Sequence, residues 1–430
     1  MTGTPTVTRS PPALIPPAGP TPGGTLPLSS IDKMVASLVN LIQVFPPSSL
    51  SAAHNDQRAA AAVAAMRNGF ARALVPYYPV AGRVAPSGLV VDCTGEGIWF
   101  VEAAASCALA DVDGLEGCPL LIPAELLLSC PPPGKKLDGF ILMAQVTSFT
   151  CGGFAVGISF SHAVFDGQGA AQFLKAVGEL ARGLPELSVA PVWNRDAMPD
   201  PPVSPSPQQL TEFTFVTQVA DISAASIERV KDEFKEKQAA ATSTGEGCST
   251  FDAVTAVVFK CRALALAAAL PDDAELRVGF AAGTRHLLRG VLPAVDGYYG
   301  SSVYLACFSR TSRAVREAAL AELVGAVRVA KDAVPARFTD WMRGGVGHYT
   351  VPLDYSTMIL SNWRRLGFDE VDYGFGVPGY VFPFNEHVNF VGELYYVRPP
   401  APRRGGVRVV LHCVEQPHAA VFASELAKFS

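Results

Sequence analysis

One stretch of the sequence combines residue types that acid–base catalysis requires. His162 is followed four residues later by Asp166 and Gly167, in the order His-Ala-Val-Phe-Asp-Gly. An imidazole near its ordinary pKa accepts a proton from a hydroxyl or amine as that group attacks a carbonyl carbon. We therefore interpret His162 as a general base and Asp166 as a residue that positions the loop or the ring. The alternative is a His and an Asp that only hydrogen-bond a turn.

The residues around His162 predict that it stands where a strand meets a loop. Gly153 to Ser161 is predicted to be a strand with bulky side chains on one face and small ones on the other. A nearly bare face allows another group to approach closely. Ala170 to Arg182 is predicted to be the helix that follows. A serine nucleophile is disfavoured because Gly157-Ile-Ser-Phe-Ser161 lacks the second glycine of a G-x-S-x-G elbow.

The rest of the chain is predicted to be mixed α/β without the regular βαβ alternation of a doubly wound sheet. A proline-rich connection at 191–220 separates an N-terminal domain, 1–190, from a C-terminal domain, 221–430. Gly88 to Cys93 and Gly97 to Glu102 are predicted to be one strand pair, and Gly139 to Thr147 pairs with Gly153 to Ser161. Predicted helices include residues 58–74, 227–234, 250–270 and 313–333, with a loop at 239–247. The last hundred residues are expected to be mostly short strands.

Composition excludes several classes of function. The 430 residues include 34 basic and 39 acidic side chains, a net charge of -5, so nucleic acid is not an expected partner. No apolar run reaches the roughly 18 residues that span a bilayer, and the N-terminus lacks a signal-peptide pattern, so we expect no membrane association and a cytoplasmic location. The nine scattered cysteines are interpreted as reduced thiols. The seven histidines lack zinc-ligand spacing, so no metal site is predicted.

Several further motifs, in order, carry a resemblance to a known family. Asp372-Tyr-Gly-Phe-Gly376 is similar to a D-F-G-W-G motif, and Gly297-Tyr-Tyr-Gly-Ser301 to G-Y-F-G-N. With His162 to Gly167 as H-x-x-x-D-G, the sequence resembles the plant BAHD family of acyl-CoA-dependent acyltransferases over essentially its whole length. Overall similarity is greatest to grass transferases of the hydroxycinnamoyl-CoA type that use p-coumaroyl-CoA and monolignols. Further matches lie at Pro76 to Arg83, Ser249 to Asp252 and Ser361 to Leu366.

This resemblance implies a fold and a mechanism. The fold would be two α/β domains of the chloramphenicol-acetyltransferase type, with mixed sheets and a channel between the domains that holds His162. Acyl-CoA would be a co-substrate, no other cofactor would be required, and the acyl group would pass directly to the acceptor without an acyl-enzyme. The protein would be a monomer. Asp166 would be structural and turned towards an arginine, for which Arg285 is the candidate, and Asp372 would support the architecture.

The resemblance also places a set of residues near acyl-CoA. For Ser249 and Thr250 a helix N-terminus adds a physical reason, because free N–H groups and the helix dipole favour phosphates, although an ordinary N-cap explains the same residues. Tyr298 and its neighbour Tyr299 could line the channel or fill the core, and the core is the safer interpretation. The full set is Ser249, Thr250, Thr284, Tyr298, Gly300, Ser301, Gly374, Phe375 and Gly376.

Two positions depart from the family pattern. Phe375 replaces the usual tryptophan, and a phenyl ring has no N–H that could stabilise an oxyanion. Tyr373 adds a hydroxyl and becomes a candidate replacement donor. Ser301 replaces the usual asparagine, which keeps a small polar group and loses the amide.

The substrates are less constrained than the reaction. We expect transfer of a p-coumaroyl or feruloyl group to an alcohol, a monolignol being the preferred acceptor. Transfer to an amine, for which Glu386 is a possible partner, or transfer of a benzoyl or acetyl group to a terpenoid alcohol are the enzymatic alternatives. A binding protein that kept the fold and lost activity is the non-enzymatic one.

Overall fold

The computed structural model describes residues 5–47, 55–128, 139–199, 210–241, 247–348, 351–384, 389–400 and 405–430. The chain forms two compact units. The first contains Met1–Asp200, Leu288–Ser302 and Leu366–Asn385, and the second contains Pro201–Leu287, Val303–Arg365 and Glu386–Ser430. A division of the sequence into 1–190 and 221–430 therefore differs from the division by contacts, because two later segments pack within the first unit.

The strands of the described residues, in chain order, are β1 Val7–Arg9, β2 Ala13–Ile15, β3 Thr25–Pro27, β4 Leu38–Phe45, β5 Arg83–Val84, β6 Val90–Asp92, β7 Ile98–Ala105, β8 Leu142–Ser148, β9 Phe154–Ser161, β10 Phe215–Ile222, β11 Glu275–Gly283, β12 Val303–Thr311, β13 Thr357–Asn362, β14 Tyr380–Pro383, β15 Gly392–Val397 and β16 Val407–Glu415. The α-helices are α1 Ser30–Met34, α2 Asn55–Ala73, α3 Ala124–Leu127, α4 Gly167–Ala181, α5 Ala224–Ala241, α6 Thr250–Ala265, α7 Ser312–Glu317, α8 Leu320–Asp332, α9 Val334–Met342 and α10 Gln416–Ala427.

The first unit is built on a mixed seven-stranded sheet. Its order is β1-β7-β8-β9-β4-β14, and β2 also pairs with β7. Strands β7 and β8 are parallel, whereas β9 is antiparallel to both β8 and β4. The predicted pairing of β8 with β9 is confirmed. The predicted pairing of β6 with β7 is wrong, because β6 belongs to a separate sheet of order β3-β6-β5.

Strand β9 is buried along its whole length, and its bare face is covered by the chain itself. A Cβ atom at Gly157 would lie 2.4 Å from the carbonyl oxygen of Leu127 and 3.0 Å from the Cβ of Leu128. The neighbouring strand contributes to the same packing, since Gln145 Nε2 donates to the carbonyl of Leu126 at 2.7 Å. The close approach expected at this face is therefore made by the segment around helix α3.

The second unit contains a mixed six-stranded sheet of order β10-β16-β15-β13-β11-β12. Strand β13 is parallel to both β11 and β15, and the other pairs are antiparallel. Helix α6 is its most buried helix, with twelve buried residues including Thr255 and Arg262. Together the two units give a mixed α/β fold with several mixed sheets, as the sequence predicted.

Three predicted elements of the second unit need correction. The helix expected at 313–333 is two helices, α7 and α8, because Ala318 adopts an extended conformation (φ -60°, ψ 143°) between them. The loop expected at 239–247 begins later, because α5 continues to Ala241; residues 242–246 lie outside the described residues. Helix α10 was not predicted. Its Pro417 stands in the first turn, where a missing N–H costs nothing.

Candidate active site

His162 follows the last residue of β9 and precedes helix α4. Its backbone N–H donates to the carbonyl of Ser37 at 2.8 Å, and the N–H groups of Val164 and Phe165 both bond to the carbonyl of Ser161. These bonds fix the backbone on both sides of the imidazole. The ring is half-buried, and its Nδ1 atom is buried without a hydrogen-bond partner among the described residues. Nε2 is therefore the nitrogen through which this side chain can exchange a proton.

Asp166 does not hold the imidazole but caps the helix that follows it. Its Oδ1 accepts from the backbone N–H of Gly169 at 2.7 Å, and its Oδ2 accepts from that of Ser302 at 3.2 Å. The residue is buried, as an N-cap carboxylate with such partners can be. These contacts support the structural role expected for Asp166, which stays a prediction. Its expected partner Arg285 belongs to the second unit, so that pairing stays a prediction.

The environment of His162 favours the neutral imidazole. Burial lowers the pKa of His162 below its ordinary value of 6.5, and the negative charges of Asp166 and Asp32 oppose that shift only in part. A base must be unprotonated to act, and a lowered pKa keeps it so at neutral pH. The site therefore presents a neutral imidazole to whatever reaches its Nε2 atom.

A buried ion pair in the first unit contacts the loop that carries His162. Arg195 Nε donates to Asp32 Oδ2 at 2.9 Å, and both side chains are completely buried. Another guanidinium nitrogen of Arg195 donates to the carbonyl oxygen of Val164. Sequence analysis did not single out this pair. The only signal was the spacing Ser29-x-x-Asp32, a capping-box pattern that also occurs at helices without any function.

The segment Gly297 to Ser301 lies in the core of the first unit. Tyr298, Tyr299 and Ser301 are all 0–2% exposed, so the core interpretation of both tyrosines is confirmed. Gly300 is required by the crowding here, because a Cβ atom would lie 2.5 Å from the Tyr298 hydroxyl and 2.9 Å from a guanidinium nitrogen of Arg195. Tyr298, Gly300 and Ser301 belong to this buried cluster, and their placement against acyl-CoA stays a prediction.

The Asp372 carboxylate organises the Asp-Tyr-Gly-Phe-Gly loop from within. Its Oδ1 accepts from the backbone N–H groups of Gly374, Phe375 and Gly376 at 2.7, 3.0 and 3.0 Å. Arg182 adds a bond to the carbonyl of Asp372. These contacts support the architectural role expected of Asp372, which stays a prediction. All three N–H groups are hydrogen-bonded to its carboxylate.

This loop lies at the opposite end of β9 from His162. The Phe375 ring packs edge-on against Phe154, the first residue of β9, at 6.0 Å between centroids. Tyr373 packs against Phe45, which pairs with Phe154 in the sheet. A strand rises about 3.3 Å per residue, so roughly 25 Å separates this packing from His162.

Two expectations about an oxyanion are therefore corrected. The Phe375 side chain lies too far from His162 for its replacement of tryptophan to remove an oxyanion donor. Tyr373 is completely buried, and its hydroxyl donates to Gln43 Oε1 at 2.9 Å, so it is not the substitute donor. Burial raises the pKa of Tyr373, which keeps this hydroxyl protonated. Both aromatic residues belong to the packing of the first unit.

In the second unit, the N-terminus of α6 collects positive charge. Ser249 is the N-cap and forms a capping box with Asp252, which confirms the capping interpretation. Lys331 Nζ lies 2.7 Å from Asp252 Oδ1 and 3.4 Å from Ser249 Oγ, and Arg328 donates to the carbonyl of Gly247. Ser249 is exposed and Thr250 half-buried. The capping role leaves both residues on the surface beside two cations.

The other residues singled out from the sequence lie in the second unit or outside the described residues. Thr284 is completely buried in the second unit, and Arg285 is 9% exposed. Glu386 lies outside the described residues. Within the described ranges no three His, Cys, Asp or Glu side chains come together in a way that could hold a metal ion. Among the same residues, no helix has the length and apolar character needed to cross a membrane.

The first unit thus places a half-buried histidine at the end of a central strand, in a protein with two mixed-sheet units. A family model described as "Transferase family" matches residues 6–427, nearly the whole chain. The chain belongs to this family, the BAHD acyltransferases, whose members use CoA thioesters as donors. It is thus an acyl-CoA-dependent acyltransferase.

Similar proteins support the same placement. The chain is 38% identical to "Acyl transferase 4" of Oryza sativa subsp. japonica over 430 residues, which covers 95% of each chain. It is 35% identical to "Myricetin 3-O-glucosyl 1,2-rhamnoside 6'-O-caffeoyltransferase AT1" of Crocosmia x crocosmiiflora, with 99% of each covered. The crystal structure of vinorine synthase has the same fold, with a TM-score of 0.74, 22% identity and coverage of 99% of this chain and 98% of that one.

Proposed function

We propose that the protein transfers a hydroxycinnamoyl group, p-coumaroyl or feruloyl, from CoA to an alcohol, with a monolignol as the preferred acceptor. The observation that carries the proposal is His162: a half-buried imidazole of lowered pKa, fixed through its backbone at the end of β9. The caffeoyl group named for the Crocosmia relative is a hydroxycinnamoyl group that this relative transfers to oxygen, which supports the same donor class here.

The proposed reaction needs one proton acceptor and no covalent acyl-enzyme. His162 Nε2 takes the proton of the acceptor hydroxyl as its oxygen attacks the thioester carbonyl carbon. The tetrahedral intermediate collapses, the bond from carbon to sulfur breaks, and the CoA thiolate takes a proton from the imidazolium. The products are an ester and free CoA, and His162 returns to its neutral form.

The N-terminus of α6 is the proposed contact for the CoA phosphates. Ser249 and Thr250 present hydroxyls at a helix end, where the dipole favours anions. Lys331 and Arg328, which the sequence did not single out, add positive charge beside them. A phosphate here would compete with Asp252 for Lys331.

The test is thiol release from a matrix of acyl-CoA donors and acceptors, with products identified by mass spectrometry. We expect p-coumaroyl-CoA or feruloyl-CoA with coniferyl or sinapyl alcohol to give the highest kcat/KM. His162→Ala is expected to lose about 10²–10⁴-fold in kcat, whereas His418→Ala, a half-buried histidine of α10, keeps wild-type activity. Preference for an amine or for acetyl-CoA would overturn the substrate proposal. Full activity of His162→Ala would overturn the mechanism.

A further inference from the structure

The Asp32 carboxylate accepts an unusual number of hydrogen bonds for a side chain that touches no solvent. Its Oδ2 accepts from the backbone N–H and the hydroxyl of Ser29 at 2.9 and 2.6 Å and from Arg195 Nε at 2.9 Å. Its Oδ1 accepts from the backbone N–H of Ser301 at 2.9 Å. A buried carboxylate with four donors is held rigidly. Helix α1 has only five residues, and capping it does not require all four of these hydrogen bonds.

Two of the three partners of Asp32, Arg195 and Ser301, lead to the loop that carries His162. Arg195 donates to the carbonyl oxygen of Val164. Ser301, whose N–H bonds to Asp32, turns its hydroxyl to donate to the carbonyl oxygen of His162 itself at 3.1 Å. Ser301 and Arg195 therefore link the Asp32 carboxylate to the backbone carbonyl groups on the two sides of Ala163.

The cluster is also fixed on its far side. The Arg195 guanidinium stacks on the Trp193 ring at 3.6 Å and lies 5.3 Å from the centroid of Tyr299. Although burial acts to lower it, the pKa of Arg195 is raised, because Asp32 and the nearby tyrosines favour the charged guanidinium. The geometry of the pair leaves little freedom to either partner.

The adjacent residues Ser301 and Ser302 each donate a backbone N–H to a different buried carboxylate. The N–H of Ser301 binds Asp32, and the N–H of Ser302 binds Asp166. Both negative charges act to raise the pKa of His162 against the effect of burial, and Arg195 is the cation that compensates Asp32. The dipeptide joins the helix cap after His162 to the ion pair beside it.

We infer that Asp32 and Arg195, acting through Ser301, are positioning residues for His162 in the acyl transfer. They hold the carbonyl groups of His162 and Val164, and so the direction in which the imidazole presents Nε2. The inference rests on the proposed function of His162 as the base. It assigns no contact with substrate to Asp32, Arg195 or Ser301.

Two variants separate the charge from the backbone contact. Asp32→Asn removes the charge and weakens the bond to Arg195, so kcat is expected to fall on the order of tenfold. The acid limb of kcat/KM should also move to lower pH, since one of the charges that favour the imidazolium is gone. Ser301→Ala removes only the hydroxyl bond to His162, so kcat should fall about fivefold with the acid limb and the KM for acyl-CoA unchanged.

The control is Asp221→Asn, which breaks a bidentate pair with Arg408 between β10 and β16 in the second unit. It should lower the melting temperature and leave kcat and the pH profile as in the wild type. Arg195→Lys keeps the charge and should retain more activity than Asp32→Asn.

Melting curves establish that each variant is folded. Wild-type kcat and pH profile in folded Asp32→Asn, or wild-type kcat in Ser301→Ala, would overturn the inference. A loss in Asp221→Asn equal to that in Asp32→Asn would also overturn it. If Asp32→Asn does not fold, Ser301→Ala alone decides. An active His162→Ala refutes the proposed function; an inactive His162→Ala beside fully active Asp32→Asn and Ser301→Ala refutes only the positioning role.

Discussion

The loops at the two ends of β9 are held in different ways. The loop after His162 is held by groups outside it, which donate hydrogen bonds to its carbonyl oxygens. The loop after Asp372 is held from within, by the Asp372 carboxylate, which accepts from its N–H groups. Ser301 and Arg195 supply the first set of contacts. Asp372 supplies the second through three short bonds. The first arrangement leaves an ionisable side chain half-buried, whereas the second consumes the polar groups of its own loop.

This difference bears on the interpretation of two sequence motifs, His162 to Gly167 and Asp372 to Gly376. Both contain an aspartate whose carboxylate accepts hydrogen bonds from backbone N–H groups. Only the motif at the C-terminal end of β9 adds a group that can exchange a proton. In the proposed function the chemistry lies at the His162 end of the strand, and the other end contributes stability. Four experiments test this contrast.

The largest effect is expected from Asp372→Ala. Three backbone N–H groups lose their acceptor, and the free energy of unfolding should fall by about 2–4 kcal/mol. At temperatures where the variant is folded, kcat should stay within a few-fold of the wild type. Denaturant melts and thiol-release assays measure both quantities. Glu370→Ala, an exposed position nearby, is the control and should change neither. Loss of kcat in a fully stable Asp372→Ala would break the contrast.

The next effect is on the pH dependence of kcat/KM. Because the pKa of His162 is lowered, the acid limb should have its midpoint below 6.5, with full activity on the neutral side. Asp166→Asn removes a charge that favours the imidazolium and should move the midpoint further down. Asp372→Asn, at the far end of β9, should leave it in place. An equal shift in both variants would show that the two ends are electrostatically coupled.

Tyr373→Phe removes one buried hydrogen bond. The hydroxyl lost to Gln43 should cost about 1 kcal/mol of unfolding free energy. Turnover should be unchanged, since roughly 25 Å of strand separates this packing from His162. Chemical denaturation and steady-state kinetics make the comparison. A drop in kcat without loss of stability would restore Tyr373 as a catalytic candidate.

The smallest effect is expected from Phe375→Trp, which restores the residue usual in the motif. The ring lies half-buried between Phe154 and Arg58, whose guanidinium is 5.9 Å from its centroid. An indole can stack there as well, so stability should change by less than about 1 kcal/mol and kcat by less than about twofold. A large rise in kcat would mean that the indole N–H takes part in the reaction.

Much of the fold was predictable because the local patterns were strong. The alternation along Phe154 to Ser161 identified β9, and the hydroxyl and acid of Ser249 to Asp252 identified the start of α6. Helix α10 was missed because Pro417 resembles a breaker until its place in the first turn is known. The pairing of β6 was missed because β3, its partner, is only three residues long.

The site was predictable only where its residues are close in sequence. His162 and Asp166 share one motif, whereas the helix-capping role of the aspartate was not predicted, because the helix was expected to begin at Ala170. Asp32 meets Arg195 across 163 residues and Ser301 across 269, so no spacing rule connects them. The distance from Phe375 to His162 depends on which end of β9 the loop meets. Packing against Phe154 and Phe45 determines which end it is, and neither residue belongs to the motif.

Strand β14 forms the edge of the seven-stranded sheet through its pairs with β4. It comes from the segment Leu366–Asn385, so a ribosome must release residue 385 of a 430-residue chain before the first unit has all its parts. Domains are generally completed in the order of synthesis, N-terminal first. Here the order is reversed in part: most of the second unit is already outside the exit tunnel while β4 still offers an unpaired edge. During translation, that edge is one of the places where the nascent chain can pair with another chain.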